Sequence, residues 1–319
     1  MSIVPTPMCD PVSGVLIVSN SIISGNHAGS YCSATPCSAF GGGIYNRGPV
    51  MTTKNSTLTG NSASTACSTS ISCAVGVGGA LYTSVGTGTL NNSTVTGNSA
   101  YRCSGTCGGM GGAIVDGPGN LALNNSTVSG NPAGGIINGG TTTLQNSIVA
   151  NNSGKNCGGT IASHGYNLSS DGTCNFIHTG DLNNTDPMLG PLQYNGGPTQ
   201  TMALPLGSPA VDAGNPTGCT DGLGHLLKTD QRGKPRPDAE DATGCDMGAY
   251  EYQGVVKTGH CVYVCGSVRC GELTGYCAGS VNGACRKSYD PGQCPIGKPA
   301  GGYGSSCGEG IDPTRTCTP

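Results

Sequence analysis

A seven-residue phrase recurs through the first half of the chain and limits how that half can fold. Its copies are NSIISGN at 20–26, NSTLTGN at 55–61, NSTVTGN at 92–98, NSTVSGN at 125–131 and, more loosely, NSIVANN at 146–152. Four of the copies follow a glycine-rich phrase: GGGIYN at 41–46, GGALYT at 78–83, GGAIVD at 111–116 and AGGIIN at 133–138. A repeat in constant register is typical of a solenoid, in which each unit packs only against its neighbours.

The spacing between the two phrases predicts the length of one solenoid coil. From the aliphatic residue of the first phrase to the leading asparagine of the second, the steps are 11, 11, 11 and 10 residues, and the whole unit is about 21 residues long. Thr, Val, Ile, Asn and Gly dominate this unit, which favours a parallel β-helix with strands stacked about 4.8 Å apart. A leucine-rich repeat has a similar period, but its Leu-x-x-Leu-x-Leu spacing is missing. We therefore expect an all-β, right-handed parallel β-helix.

Alternation within the phrases predicts which side chains face the interior of the coils. Two aliphatic columns are expected inside: Ile23, Leu58, Val95, Val128 and Val149 in one, and Ile44, Leu81, Ile114 and Ile136 in the other. The leading asparagines are expected to stack at a bend as an amide ladder: Asn20, Asn55, Asn92, Asn125 and Asn146. The residues on either side of each inward aliphatic are expected to face outward: Thr57 and Thr59, Thr94 and Thr96, and Thr127 and Ser129.

The 19 cysteines, without CxxC spacing, predict disulfides and an oxidising compartment. Local pairs are expected between Cys32 and Cys37, Cys67 and Cys73, Cys103 and Cys107, Cys157 and Cys174, and Cys219 and Cys245. The first three pairs would tie the inserted loops, and Cys9 has no local partner. The last eight cysteines lie in the tail, where zinc is an alternative, but only Cys261 and Cys265 approach zinc-site spacing. We expect disulfides there and no metal.

Composition and charge exclude several classes of protein. Charged residues make up only 10% of the chain and the net charge is −3, which argues against binding to nucleic acid or to an anionic membrane. No segment approaches the roughly 20 consecutive apolar residues of a transmembrane helix. Residues 1–20 lack the basic start and apolar run of a signal peptide. We expect any export signal to lie upstream, in a protein truncated at its N-terminus.

The stretch after the repeats has phrases of its own. They are GYNLSSDGTC at 165–174, GDLNNTDPMLGPLQYNGGPTQTMALPLGSPAVDAGN at 180–215, TDQRGKPRP at 229–237 and CDMGAYEY at 245–252. In this order they resemble the choice-of-anchor Q domain, the C-terminal part of many bacterial surface β-helix proteins. The glycine-rich phrases are similar, more loosely, to polymorphic outer-membrane-protein and pectin-lyase-like repeats. The resemblance implies an exported bacterial protein, although the tail departs from the family pattern because it has neither an apolar anchor helix nor a sorting motif.

Three parts are expected along the chain: coils with disulfide-tied loops over 1–180, a capping segment over 181–253, and a small cysteine-rich disulfide module over 254–319. The middle part is expected to cover the open C-terminal end of the coils, where strand edges and core would otherwise be exposed. Its charged residues are expected to form a structural ion-pair network: Asp212, Asp230, Arg232, Arg236, Asp246 and Glu251. Calcium held by Asp181 and Asp186 is a weaker alternative.

Candidate catalytic residues are sparse in the coils. Between residues 11 and 170 the only carboxylate is Asp116, and the bases and histidines are scattered over different units: Arg47, Lys54, Arg102, Lys155, His27 and His164. Hydrolysis of a glycosidic bond needs two carboxylates. We therefore expect a non-catalytic exported protein without cofactors, which adheres to host or neighbouring cells or binds glycans through its loops. The alternative is a polysaccharide lyase or a glycoside hydrolase. Two lesser alternatives are ice binding by the outward threonines and a purely structural role at the cell surface. The oligomeric state stays open.

Overall fold

The computed structural model of the chain describes residues 14–32, 38–67, 75–100, 111–238 and 244–253, and five short strands of the tail. The chain divides into two compact units, Met1–Gln253 and Gly254–Pro319. The expected coils and capping segment therefore belong to one unit, and the cysteine-rich module forms the other. No α-helix occurs in these described ranges, and so no helix able to cross a bilayer is found there.

Three parallel sheets form the wall of the coils. Sheet I contains β1 (Val15–Ser19), β6 (Val50–Lys54), β11 (Thr87–Asn91), β15 (Asn120–Asn124), β18 (Thr141–Gln145) and β21 (Ile161–Ser163). Sheet II contains β2 (Ile22–Ser24), β7 (Thr57–Thr59), β12 (Thr94–Thr96), β16 (Thr127–Ser129), β19 (Ile148–Ala150) and β22 (Leu168–Ser169). Sheet III contains β5 (Ile44–Asn46), β10 (Leu81–Thr83), β14 (Ile114–Asp116), β17 (Ile136–Asn138) and β20 (Cys157–Gly158). The expected parallel β-helix is confirmed.

Shorter sheets complete the described strands. Two are parallel and belong to the coils: β3 (His27–Cys32) with β8 (Ser62–Cys67) and β13 (Ser99–Ala100), and β4 (Ser38–Phe40) with β9 (Val75–Val77). One antiparallel pair follows the coils: β23 (Leu192–Gln193) and β24 (Thr201–Met202). The tail contains two antiparallel sheets: β25 (Val264–Cys265) with β26 (Val268–Arg269), and β27 (Ser280–Val281) with β28 (Ala284–Arg286) and β29 (Tyr303–Ser305).

The two expected aliphatic columns lie in the interior. Leu58, Val95 and Val128 occupy matching positions on adjacent strands of sheet II and are almost completely buried. Leu81 and Ile114 are paired in the same way on sheet III. Burying one such aliphatic side chain contributes about 1.5–3 kcal/mol relative to leaving it in water. Stacking of equivalent residues therefore stabilises each coil on its neighbours.

The leading asparagines occupy the bends between sheets I and II. Their φ angles lie between 45° and 51°, the left-handed region that asparagine tolerates better than most residues. Their amides form the expected ladder only in part: Asn55 donates to Asn20 over 3.2 Å, and Asn146 donates to Asn125 over 2.9 Å. Asn92 donates instead to the carbonyl of Thr229. The bend was predicted correctly, but the continuous leading-asparagine ladder was wrong.

A continuous amide ladder is formed by the last asparagine of each phrase. Their side chains bond in series, with N–O distances from 2.8 to 3.2 Å, through Asn26, Asn61, Asn98, Asn131 and Asn152, and Asn156 extends the series by one residue. From Asn61 onward these side chains are buried. They also bond to backbone groups at the turn, as Asn98 does with the carbonyls of Leu58 and Thr96. The ladder thereby satisfies buried polar groups that would otherwise destabilise the turn.

The C-terminal end of the coils is closed by the residues that directly follow them. The Phe176 ring is buried in the coil core together with the Cys157–Cys174 disulfide. Leu182 then forms a parallel bridge with Leu168 of β22. Residues 170–185 therefore cover the C-terminal end of the coils. Most of the expected capping segment, 181–253, does not lie at this end.

Residues 186–238 and 244–253, which we call the strap, run along the outer face of sheet II. Its contacts extend from the second phrase, where Thr57 donates to the Gln200 carbonyl over 2.6 Å, to the fifth, where the Gly248 N–H donates to the Asn146 carbonyl over 2.8 Å. An apolar cluster fills part of the interface: Ile148, Ala150 and Leu168 from the coils, and Leu204, Ala210 and Met247 from the strap. The expectation of an end cap was therefore wrong for the strap. The outward hydroxyl and aliphatic side chains of sheet II give the strap a longer contact surface than the C-terminal end of the coils does.

Candidate functional site

Three aromatic rings form a stack on the outer side of the coils, which we call the aromatic ladder. Tyr45 of β5 and Tyr82 of β10 are register partners, with ring centroids 5.4 Å apart. Phe40 of β4 stacks on both, at 5.0 Å from Tyr82 and 5.7 Å from Tyr45. The planes are inclined by 21–27°, and all three side chains are partly exposed. Centroid distances of this size are typical of favourable aromatic pairs.

Glycine corners place these rings together. Gly41 has a φ of 58°, and a Cβ at that position would lie 2.2 Å from the Ile44 carbonyl oxygen. Gly78 makes the same corner one coil later, 2.2 Å from the Leu81 carbonyl oxygen. Because only glycine fits such a corner, the chain turns tightly between β4 and β5, and Phe40 stacks against Tyr45.

The ladder borders a cleft at the N-terminal side of the described coils. This cleft has a volume of about 810 Å³, and its lining includes Phe40, Tyr45 and the exposed Arg47 beside the aliphatic residues Leu16 and Ile23. Leu16 and Ile23 also pack against the coil core, so this cleft leads into the interior of the first described coil. Tyr82 lies one coil further along, so the aromatic surface continues beyond the cleft.

The expected ion-pair network exists in the strap as two buried pairs. Arg232 lies 2.7 Å from Asp230, and its guanidinium stacks over the Tyr250 ring at 3.6 Å. Arg236 lies 2.7 Å from Glu251, and its remaining nitrogens donate to the Gly248 carbonyl and to Asn92 of the coils.

The other two residues of the expected network are not ion-paired. Asp246 accepts backbone N–H groups from Asp212 and Tyr252, whereas the Asp212 side chain is exposed. Burial raises the pKa of Glu251 to about 8 and that of Asp246 to about 6, with the Arg236 guanidinium opposing both increases. The two ion pairs are buried and hold the strap together, which is the arrangement of a structural lock.

Sequence-derived candidates for catalysis are dispersed in the structure. Asp116 is fully buried inside the coils, and His164 is exposed on a turn of a different coil. His27 contacts two serines, with its Nδ1 2.8 Å from Ser62 Oγ and its Nε2 3.4 Å from Ser64 Oγ. Because both ring nitrogens face hydroxyls, no carboxylate orients this imidazole as a triad would require.

The calcium alternative finds no support at Asp181 and Asp186. Both oxygens of Asp181 accept hydrogen bonds, from Ser163 Oγ, from the Asn167 N–H and from the His178 N–H. Asp186 accepts the N–H of Met188. Within the part of the chain that the structure describes, no group of three or more His, Cys, Asp or Glu side chains could hold a metal ion.

Two of the expected disulfides are present, Cys157–Cys174 and Cys219–Cys245. The side chains of the three loop pairs lie outside the described residues: Cys32 and Cys37, Cys67 and Cys73, and Cys103 and Cys107. The same holds for Cys9 and for the tail cysteines, so the zinc alternative stays open there.

The expected outward threonine ladder is covered. Thr57, Thr94 and Thr127 are buried beneath the strap, where Thr94 donates to Gln231 Oε1 over 2.6 Å. Gln231 in turn donates to Thr57 and to Thr199 of the strap. A surface that binds ice must be open to solvent, so this ladder is a docking surface for the strap and the expectation of an exposed face was wrong.

The aromatic ladder was not foreseen from the sequence, although a signal exists. Tyr45 and Tyr82 occupy the same position of the GGGIYN and GGALYT phrases, one residue after the inward aliphatic. Alternation therefore places both outward and in register. Phe40 precedes the glycine corner, and its contact with Tyr45 depends on the tightness of that corner.

Comparison with known proteins gives no relative: no family model, no curated protein and no solved structure matches the chain.

Proposed function

We propose that the chain is an exported, non-catalytic binding protein that recognises a carbohydrate at the aromatic ladder. The single observation behind this proposal is the set of three partly exposed, mutually stacked rings, Phe40, Tyr45 and Tyr82, on strands β4, β5 and β10. Surface aromatics on a rigid scaffold offer a large contact area at a low cost in conformational entropy. Ordering a ligand on them therefore requires little rearrangement of the protein.

Carbohydrate is the ligand class that suits this surface. The face of an aromatic ring carries partial negative charge, and the C–H groups on one side of a pyranose ring carry partial positive charge. Arg47 and the tyrosine hydroxyls can supply hydrogen bonds to sugar hydroxyls at the edge of the stack. Nucleic-acid bases also stack on such rings, but the net charge of −3 disfavours a polyanion.

A binding role rather than cleavage is supported by where the carboxylates lie. Asp116 faces the coil interior, and Asp230 and Glu251 are committed to buried ion pairs in the strap. Neither arrangement leaves a pair of carboxyl groups on either side of a bound glycosidic bond, which is what glycoside hydrolysis needs.

Export is supported by the two disulfides, because such bonds persist mainly outside reducing cytosol. The phrases that resemble the choice-of-anchor Q domain support a bacterial cell surface as the destination and a pectin-lyase-like origin for the coils. On this proposal the rod displays its aromatic ladder to glycans of a host or neighbouring cell, and adhesion is the outcome.

A glycan array probed with the whole chain tests the proposal, followed by titration of the best neutral oligosaccharide. Tyr45→Ala and Tyr82→Ala are each expected to weaken binding at least about tenfold, which corresponds to roughly 1.4 kcal/mol. Tyr82→Phe, which keeps the ring, should bind within about threefold of the parent chain.

The matched control is Tyr194→Ala. Tyr194 is 63% exposed in the strap, away from the ladder, and its loss should leave binding unchanged. Equal binding by all four variants, or the absence of any glycan ligand, would contradict the proposal. Shortened or unsaturated sugar products after incubation would favour the lyase or hydrolase alternative instead.

A further inference from the structure

An isolated acid lies inside the coils, at the end of β14. Asp116 is fully buried, and its register partners on the adjacent strands are Thr83 and Asn138, so the three form one inward polar row. Asn46 continues the row on β5 as the partner of Thr83. Among the described residues, no cation is paired with Asp116. An unpaired carboxylate in such surroundings is costly, because a buried charge requires a partner or strong hydrogen bonds.

Hydrogen-bond donors are scarce around this carboxyl group. Its Oδ2 is 3.2 Å from Thr142 Oγ1, but that hydroxyl has one proton and is also 3.1 Å from Asn138 Oδ1. Asp116 Oδ1 has no partner, and neither has the Thr83 hydroxyl on the neighbouring strand. The Nδ2 of Asn46, two strands away in the same row, also has no partner, so it does not satisfy this oxygen. A proton on Asp116 would remove the uncompensated charge and give the carboxyl group a donor of its own.

Nothing charged faces Asp116 from the strands packed against it. Sheet III supplies β10 and β17, and sheet I supplies β11, β15 and β18; none of these strands contains Asp, Glu, Lys, Arg or His. Their single titratable residue is Tyr82, whose ring covers Gly117 on the outer side and stacks with Tyr45 and Phe40. The protonation of Asp116 is thus governed by burial and by the neutral row alone.

We propose that Asp116 carries a proton in the folded protein under mildly acidic conditions and that losing this proton weakens the middle of the coil stack. The rod is then most stable in acid and loosens as the medium becomes neutral. In support, burial raises the pKa of Asp116 from 3.8 to about 6, only partly opposed by hydrogen bonds from Thr142 and Thr141.

The direction of this pH dependence follows from the linkage between proton binding and folding. The folded state binds the proton more tightly than the unfolded state does, so the stabilisation is complete below pH 3.8 and is lost as the pH rises through 6. The difference between the two pKa values corresponds to roughly a hundredfold change in the folding equilibrium constant.

Urea unfolding of the parent chain and of Asp116→Asn between pH 4 and pH 8 tests this inference. Asparagine has the shape of the neutral acid and does not titrate. We expect the two folding equilibrium constants to agree within about threefold at pH 4 and the variant's to be roughly a hundredfold larger at pH 8. Asp246 and Glu251 are present in both proteins, so their titration cancels in the comparison.

Asp171→Asn is the matched control with the opposite sign. Hydrogen bonds from Thr173, Asn156 and Ser169 outweigh burial and lower the pKa of Asp171, so this variant should lose stability at neutral pH and little in acid. If the ratio of the folding equilibrium constants of the parent chain and Asp116→Asn does not change with pH, the inference is overturned.

A second measurement applies if Asp116→Asn does not fold. The ¹³C NMR signals of labelled aspartates can be followed with pH in the Asp246→Asn background, in which Asp116 is the described aspartate with a raised pKa. A midpoint near 6 supports the inference. Titration of all aspartates below about 4.5 overturns it.

Discussion

Replacing Arg236 by methionine should release the strap from the coils. This guanidinium is fully buried and donates to Glu251 over 2.7 Å, to the Gly248 carbonyl over 2.8 Å and to Asn92 of the coils over 3.0 Å. It is the one described cation that bonds both to the strap's own acid and to an asparagine at a coil bend. Methionine fills a similar volume but offers no donors.

The cost is set by what the missing guanidinium leaves behind. Removing one partner of a buried pair costs about 3–5 kcal/mol, and here the groups that lose their donor are the Glu251 carboxyl group, the Gly248 carbonyl and Asn92 Oδ1. Glu251 also has one carboxylate oxygen, Oε1, without any partner. We therefore expect Arg236→Met to lower the free energy of unfolding by about 3–5 kcal/mol at neutral pH.

The same reasoning predicts that the cost of Arg236→Met depends on pH and on whether residue 251 can ionise. The pKa of Glu251 is already raised to about 8, and it should rise further once Arg236 no longer opposes the effect of burial. Deprotonation then opposes folding more strongly in the variant, so its deficit should grow between pH 8 and pH 10. Adding Glu251→Gln replaces the orphaned acid with a side chain that cannot ionise and has its own N–H donors, and it should recover at least about 1–2 kcal/mol of the loss.

Urea unfolding followed by circular dichroism measures these differences. Hydrogen exchange at the Ala249 N–H, which bonds to Thr127, reports separately on opening of the strap. Lys234→Met is the control, because Lys234 is an exposed cation of the strap. This substitution should change the free energy of unfolding by less than about 0.5 kcal/mol. An Arg236→Met cost below about 1 kcal/mol, or additivity with Glu251→Gln, would refute the reasoning.

Two further substitutions test the interior of the coils. Asn98→Ala removes a side chain that donates to the Leu58 and Thr96 carbonyls and accepts from Asn61, so thermal and urea unfolding should show a loss of about 3 kcal/mol or more. Asn20→Gly at an exposed bend should cost less than about 1 kcal/mol, and equal losses would contradict the role of the trailing ladder. Phe176→Ala should lower the free energy of unfolding by about 3–5 kcal/mol, because it opens a cavity at the C-terminal end of the coils. Its neighbour Ile177 is 81% exposed, so Ile177→Ala should change the free energy of unfolding by less than about 0.5 kcal/mol. Similar losses in the two variants would show that the Phe176 ring does not close this end.

The repeats contain most of the information on the coils. Alternation within NSTVTGN and GGALYT places Val95 and Leu81 inside, because in a stacked strand a side chain can face only one of two sides. Both asparagines of the phrase recur equally, so recurrence could not show which of them bonds from coil to coil. Burial does not distinguish them, because Asn92 and Asn98 are both buried. The strap does, since the Asn92 amide donates to the Thr229 carbonyl of the strap, whereas the Asn98 amide donates to Asn131 of the next coil.

The strap could not be placed by the same reasoning. Its hydrogen bonds to the coils join residues far apart in the chain, such as Thr94 with Gln231 and Asn92 with Arg236. Neither partner carries a local pattern that reveals the other. The same outward threonines suit an open face or a covered one, and only the position of the strap distinguishes the two. Likewise Phe40 joins the aromatic ladder through the fold of a glycine corner and not through the repeat.

Saturation-transfer NMR on the intact chain with a neutral oligosaccharide tests most directly whether the ladder holds sugar without cutting it. Irradiation of the aromatic protons should transfer saturation to the sugar C–H groups, and Tyr82→Ala should abolish most of this transfer. The sugar spectrum should remain unchanged over a long incubation. Transfer that survives in Tyr82→Ala, or new reducing-end or unsaturated-sugar signals, would contradict the account.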